Sequence, residues 1–340
     1  MKRSSLLILL ICLYLDAYTQ YLHGFVFDRE THNPVASAIV YLSGTFNGTY
    51  TDQSGAFRIK VPEDTSIPLV ISSIGYYSVT VSGYTPEKEM IIELNQKVYM
   101  LNEVVVQGNS RKARAERRRN LQMFRNEFLG TTVNGTRCSI TNEDDIIFTW
   151  DPENLILQAY CYKPITIDNK GLGYVVSYYL DNFIFNTRDK SLVFTGNILF
   201  REDKNINKIK ASSYQNRRKS VFLGSRMHFF RELWADNIDS SGFLVKSRSN
   251  KVLLYDNLVG TGDGMKKFLR SDEDPLWITY YSLLGGTLFH FEKDSVAFDR
   301  DGWYDALGIS ITGEMSRLRV GDWLPYEYSL PVKKGIKKSK

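Results

Sequence analysis

Short apolar runs separated by turn residues fill the first hundred positions of the chain. Phe25–Phe27, Ala38–Leu42, Phe57–Val61, Leu69–Ile74, Val79–Val81 and Met90–Leu94 are divided by Asn33-Pro34, Asn47-Gly48, Asp52-Gln53-Ser54-Gly55 and Pro62-Glu63-Asp64. Runs of about five residues at this spacing predict an antiparallel β-sandwich. Val26, Val40, Phe57 and Ile59 are its expected interior, and Gly44, Gly48 and Gly55 its expected positive-φ turns. Asp52 is placed to accept turn backbone hydrogen bonds toward Gly55.

The pattern changes after that. Leu101–Val106 (LNEVVV) reads as one extended apolar piece, either closing the sandwich or offered to a partner by strand addition. Gln107-Gly108-Asn109-Ser110 breaks it. Arg111–Leu129 holds no glycine or proline, with Ser110 at the N-cap and Gly130 as the stop, which predicts a helix. Leu121, Phe124 and Phe128 fall on one face of it, and its basic first turns are expected to stay in water. From Thr131 strand patterning returns. Cys138–Thr141, Ile146–Trp150 and Leu155–Tyr162 are joined by the polar links Asn142–Asp145 and Asp151–Asn154, both read as hairpin-like. Tyr174–Phe185 and Ser191–Phe200 form a further pair. Asn216–Leu233 reads as one helix interrupted only by Gly224. Strands are then expected at Phe243–Val245, Val252–Tyr255, Trp277–Tyr280, Thr287–Phe291, Ser295–Phe298 and Leu307–Glu314. The expectation is a mainly β chain with an N-terminal β-sandwich, a basic linker helix and a C-terminal β-rich domain with one or two helices. The boundaries are 20–98 for the sandwich, 99–130 for the connector strand and helix, 131–330 for the second domain and 331–340 for a basic tail.

Charge and the N-terminus add a compartment. Lys2 and Arg3, the apolar run Leu6–Leu15 and the small-residue exit Ala17-Tyr18-Thr19 match a secretory signal peptide over residues 1–19. The run is shorter than the roughly twenty residues that span a bilayer. Cys12 lies inside this leader, so Cys138 and Cys161 are the two cysteines left. They read equally as one disulfide or as two buried thiols. The net charge of +5 is concentrated in Arg111–Arg119 and Lys333–Lys340. Export argues against a nucleic-acid partner, leaving a solvated face or contact with an anionic membrane surface.

Candidate chemistry is sparse. The four histidines are His23, His32, His228 and His290, none followed by Glu at the third position, so a His-x-x-Glu zinc pair is missing. Gly-x-Ser-x-Gly is absent, and Leu258–Gly264 lacks a Gly-Lys-Ser/Thr ending. Asp299, Asp301 and Asp305 around Gly302 have calcium-like spacing, yet Ser310 stands where the closing glutamate belongs. A plain turn is the favoured reading. Glu143–Asp145 and Asp272–Asp274 read as loop acids. Trp234, Trp277, Trp303 and Trp323 suit sugar stacking but read first as core.

Several of these positions also form a motif. Gly24–Asp28, Thr31, Pro34-Val35, Ala38, Val40, Leu42, Gly44-Thr45, Gly48-Thr49, Thr51-Asp52, Gly55, Phe57, Ile59, the run Ile71–Tyr76 and the closing Leu101–Val106 resemble the carboxypeptidase-regulatory-like domain. Ending in LNEVVV, the segment is similar to the N-terminal extension of TonB-dependent outer-membrane receptors of Bacteroidetes-type bacteria. The resemblance covers about a quarter of the chain. It implies a seven-stranded, transthyretin-like sandwich and an envelope location: exported, periplasmic or outer-membrane associated, or at the cell surface.

The expected function is therefore a non-enzymatic envelope binding or assembly module. Its partner would be an envelope protein, a polysaccharide or the outer membrane, without cofactor, metal or catalytic residues. Leu101, Asn102, Glu103, Val104, Val105 and Val106 are the candidate partner strand, and Cys138 and Cys161 the candidate disulfide. The alternatives are a glycan or peptide hydrolase with its site in the C-terminal domain, and a small outer-membrane barrel of eight to ten strands.

Overall fold

The computed structural model describes residues 20–63, 65–97, 110–203, 208–260, 262, 264–281 and 285–331. Residues 1–19, read above as a leader, the candidate partner strand Leu101–Val106 and residues 332–340 lie outside the described residues. The chain divides into two units, one made of residues up to Leu42 with Asn47–Val98, the other of Ser43–Phe46 with everything from Tyr99 onward.

The first unit holds seven strands in two sheets. They are β1 (Gln20–Asp28), β2 (Ile39–Leu42), β3 (Gly48–Tyr50), β4 (Ala56–Val61), β5 (Leu69–Ser72), β6 (Val79–Val81) and β7 (Met90–Leu94). One sheet runs β4-β1-β7, the other β3-β2-β5-β6. Val26, Val40, Phe57 and Ile59 are all buried, together with Leu22, Leu69, Ile71 and Leu94. Gly48 is a correction: it is the first residue of β3, paired with Tyr41, rather than a turn glycine. Gly24 serves a close approach instead. A Cβ there would lie 2.1 Å from the Met90 carbonyl oxygen, so β7 can run beside β1 only where residue 24 has no side chain. The Asp52 turn forms as expected, with Asp52 Oδ1 accepting from Ser54 N (2.8 Å) and Ala56 N (3.0 Å).

Two distant motif residues meet at the end of β1. Asp28 is buried, and its carboxylate accepts from Glu30 N (2.9 Å), Thr31 N (2.8 Å), the Tyr76 hydroxyl (2.9 Å) and the Gln96 amide. The Gln96 amide first, then the Thr31 N–H, hold its pKa well below the ordinary carboxylate range. Asp28 is thus a fold determinant that ties three chain segments together.

The second unit begins with α1 (Arg111–Leu129). Ser110 Oγ accepts from Ala113 N (3.1 Å), and Gly130 stops the helix at φ 90°. Phe124 and Phe128 are fully buried and stack with centroids 4.8 Å apart. They seat the helix on a six-stranded sheet made of β8 (Cys138–Ile140), β9 (Ile146–Asp151), β10 (Ile156–Cys161), β11 (Ile165–Asn169), β12 (Tyr174–Asn186) and β13 (Leu192–Glu202). Strand β12 organises this sheet. Its first half pairs with β11, its last three residues with β10, and nearly its whole length with β13. Among the described residues this is the largest sheet. Thr45 of the 43–46 stretch pairs in parallel with Leu199, and Gly44 N donates to the Ile198 carbonyl (2.6 Å).

The Asn142–Asp145 link is not a hairpin. β8 pairs with β11 and β9 with β10, so the two strands it joins lie in different branches of the sheet. Its acids serve other contacts, such as Arg125 Nε to Glu143 Oε1 (2.7 Å). The disulfide expectation also gives way. Both cysteines are free thiols, Cys138 donating to the Asn134 carbonyl (3.3 Å) and Cys161 to the Asp145 carbonyl (3.4 Å). Cys138 opens β8, which pairs with β11, and Cys161 closes β10, which pairs with β9 and β12, so the two thiols sit on strands that are not neighbours. Burial pushes the Cys138 thiol up to about 12.

Beyond β13 the single expected helix is two, α2 (Lys208–Phe222) and α3 (Arg226–Trp234). Gly224 at φ 79° breaks the chain, and Ser225 Oγ caps the next helix by accepting from His228 N (3.2 Å). A glycine followed by a serine is a stop and a start signal. Helix α3 feeds Phe229, Phe230 and Leu233 into a second core. That core is covered by β14 (Phe243–Lys246), β17 (Leu276–Tyr280), β18 (Thr287–Phe291) and β20 (Ile309–Gly313), in sheet order β14-β17-β18-β20. Between and after them lie α4 (Tyr255–Leu258) and a small sheet of β15 (Val259–Gly260), β16 (Lys267–Leu269) and β19 (Val296–Phe298). Val252–Tyr255 is not a strand: Val252 makes one isolated bridge to Lys246, and Tyr255 opens α4, where Leu254 N donates to Asn257 Oδ1 (3.2 Å). The Leu307–Glu314 strand starts only at Ile309, because the Asp305 carboxylate accepts from Leu307 N (3.1 Å) and winds a short turn first.

Candidate functional site

The sheet β14-β17-β18-β20 has two unlike faces because successive side chains alternate. Phe243, Val245, Leu276, Ile278, Thr287, Phe289 and Ile309 point inward and are buried. Leu244, Lys246, Trp277, Thr279, Leu288, His290 and Thr312 form the outer face. Strand register lines up Lys246, Trp277, Leu288 and Thr312 in one row across the four strands.

Trp277 stands at the centre of that row. All five tryptophans are among the described residues, and Trp277 is the exposed one, at 41%. The others are committed inward or to cations. Trp323 Nε1 donates to the Leu318 carbonyl (3.0 Å), Lys267 Nζ lies 4.8 Å from the Trp234 ring, Lys266 Nζ 5.8 Å from Trp303, and the Arg119 guanidinium 4.9 Å from Trp150. The Trp277 indole rests against Gly286, where an added Cβ would come within 2.3 Å of a ring carbon. Gly286 therefore leaves the space that the ring occupies.

Two recesses flank the indole and share Lys246 and Trp277 as walls. One, of about 390 Å³, is lined by Lys246, Ser247, Arg248, Asn250, Pro275, Trp277 and Leu288. The other, of about 260 Å³, is lined by Leu244, Lys246, Trp277, Thr279 and Gly285. Together they make an open groove across the strands. One wall is a braced loop. Ser247 N donates to the Lys251 carbonyl and Asn250 N to the Ser247 carbonyl (both 2.9 Å), and Lys246 Nζ donates to Asn250 Oδ1 (2.9 Å). Glu273 clamps the loop by accepting from Ser249 N (2.8 Å) and Ser249 Oγ (2.9 Å), contacts that pull its pKa below the ordinary range. The groove is thus preformed, which lowers the ordering cost of a ligand.

Of the remaining candidates, His290 lies on the same outer face and Asp274 adjoins the Pro275 wall of the groove. Cys138 and Cys161 lie in the six-stranded sheet. His228 is buried in α3, where its Nδ1 accepts from Gly224 N (3.1 Å) and its Nε2 faces Glu232 Oε1 at 3.4 Å; burial lowers its pKa to about 4. His290 Nδ1 is 3.9 Å from Asp274 Oδ2. Asp299 closes a turn, its Oδ1 accepting from Asp301 N (2.9 Å) and Trp303 N (3.0 Å), so the calcium-like spacing is spent on backbone. Among the described residues no group of three or more His, Cys, Asp or Glu could hold a metal, and no helix is long and apolar enough to cross a membrane.

Sequence reasoning named Trp277 but missed Lys246, Arg248, Asn250 and Gly286. The alternation Leu276-Trp277-Ile278 already marks Trp277 as the outward position of a half-buried strand. The loop after β14 carries no such signal, because only the pairing of β14 with β17 brings it beside the indole.

No curated protein matches the chain. Among solved structures, the crystal structure of a 9R-lipoxygenase from Cyanothece PCC8801 is similar over 64% of this chain and 48% of that one, at 10% identity and a TM-score of 0.18. The chain thus spans about half the length of that enzyme, and a likeness this weak carries no argument. Residues 22–106 match the family model of the CarboxypepD_reg-like domain, which makes the N-terminal β-sandwich a module of that family.

Proposed function

We propose that the protein is a non-enzymatic binding module of the cell envelope that holds a polysaccharide on the Trp277 face. The observation that carries this reading is the exposed indole set in an open, braced groove. An indole offers a flat apolar face to the C–H side of a sugar ring, while Lys246, Ser247, Arg248 and Asn250 offer hydrogen bonds to hydroxyls. A glycosidase needs two carboxylates facing each other across the sugar. The described lining residues of both recesses include no carboxylate, which favours holding a glycan over cutting it. The leader-like residues 1–19 and the match of residues 22–106 to a module like that of envelope receptors support the compartment. Leu101–Val106 would then serve as the link to an envelope partner.

The test is indole fluorescence during titration with a panel of neutral and acidic bacterial polysaccharides. At least one should shift the emission, and Trp277→Ala should weaken its binding by about tenfold, equivalent to roughly 1.4 kcal/mol. Equal binding by the parent and the variant, measured by affinity electrophoresis, would refute the site.

A further inference from the structure

Residues Arg111–Arg119 carry five arginines and one lysine against the single acid Glu116. Two of these cations are committed. The Arg117 guanidinium donates to the carbonyls of Ile146 (3.0 Å) and Glu143 (2.9 Å), and Arg119 lies over the Trp150 ring. Arg111, Lys112, Arg114 and Arg118 are exposed, and their side chains have no hydrogen-bond or ion-pair partner among the described residues.

Helical geometry gathers these four on one side. At about 100° per residue, Arg111, Arg114 and Arg118 fall at i, i+3 and i+7, and with Lys112 they span an arc of about 160° whose middle faces away from the stripe that buries Asn120, Phe124 and Phe128. They form a ridge about 10 Å long at 1.5 Å per residue, with Lys112 on its flank. The ridge carries no aromatic ring, so it has nothing to stack on nucleic-acid bases or sugars. It is convex, and it presents charge to a plane rather than into a pocket. We infer that this face of α1 docks on an anionic phospholipid surface, with Arg111, Lys112, Arg114 and Arg118 on headgroup phosphates. Charge complementarity is the argument for that occupant: a cluster of four or more unpaired cations on a helix fits anionic headgroups. The apolar face of the helix is already used in its own core, so the contact is peripheral and electrostatic and weakens with salt. The inference shares no residue with the Trp277 groove and stands or falls apart from it.

The test uses the full chain and vesicles of equal parts phosphatidylglycerol and phosphatidylcholine, with pure phosphatidylcholine as reference, followed by co-sedimentation. Binding is expected to the charged vesicles alone and to fall as salt rises. Each cation near an anionic surface is worth about fivefold in affinity. The variant Arg111→Gln/Lys112→Gln/Arg114→Gln/Arg118→Gln should therefore lose a hundredfold or more, while its circular dichroism and melting stay those of the parent. Undiminished binding by that variant overturns the inference, as does binding abolished by deleting residues 332–340 alone. A mixed-sequence DNA duplex that displaces the protein from vesicles at equal phosphate would reassign the face to nucleic acid and also overturn it.

Discussion

Two of the buried carboxylates, Asp28 in the first unit and Asp322 in the second, have pKa values displaced in opposite directions. Asp28 in the sandwich receives four donors and is held well below the ordinary carboxylate range. Asp322 in the second unit receives two, the Thr132 hydroxyl (2.7 Å) and the Asn134 amide (2.9 Å), and burial raises its pKa in spite of them. Beside it, the buried Asn134 Oδ1 has no partner among the described residues. Burial penalises the charge in both places, and the number of donors decides the sign. The sandwich closes around a well-ligated anion. The second unit packs chiefly through aromatic rings such as Phe124, Phe128, Phe229 and Phe230.

The largest test of that contrast is Phe124→Ala. Phe124 is fully buried, with its ring centroid 4.7 Å from Phe183 and 5.7 Å from Phe148. Its loss should cost the second unit about 3–5 kcal/mol. Urea unfolding followed by unit-specific probes should show the sandwich transition unmoved. A shift of both transitions together would break the division into two kinds of fold.

A change of pH separates the units further. Burial lowers the His228 pKa from 6.5 to about 4. The neutral ring is the native form, so its contribution is complete above about pH 6.5 and is lost as the pH falls toward 4. That amounts to about 3 kcal/mol of acid sensitivity in the second unit. In His228→Gln the melting temperature of this unit should be nearly flat over that range. Asp28 acts in a lower window. Its depressed pKa gives the sandwich stability that is present above about pH 4 and lost as the pH drops below it. Asp28→Asn should melt the sandwich at a lower temperature near neutrality and blunt that acid response; an unchanged melting curve would remove Asp28 as the residue that ties the segments together.

The same contrast explains what the sequence let one read. The sandwich is local. Turn residues such as Asp52 and Gly55 sit beside the strands they connect, so five of its seven strands coincide with the apolar runs to within two residues at either end. Strand β3 escaped because Gly48 looks like a turn glycine. The second unit is non-local. Asn142–Asp145 looks like the hairpin link Asp151–Asn154, and only the long β12 decides that β8 and β9 join different branches. Helix α1 was legible to the residue because its cap, its stop and its buried stripe agree. The α2–α3 break was overlooked although Gly224-Ser225 spells it out. Trp277 was visible as an aromatic, but its exposure depends on Gly286 and on a loop about thirty residues away, and neither has a signature of its own.

Hydrogen exchange with and without a binding polysaccharide tests the central claim most directly, because it reads both units in one experiment. The account predicts slowed exchange in Lys246–Asn250 and in β17 and β18, with the sandwich strands unchanged. Protection confined to β1–β7, with the Trp277 groove exchanging as before, would contradict it.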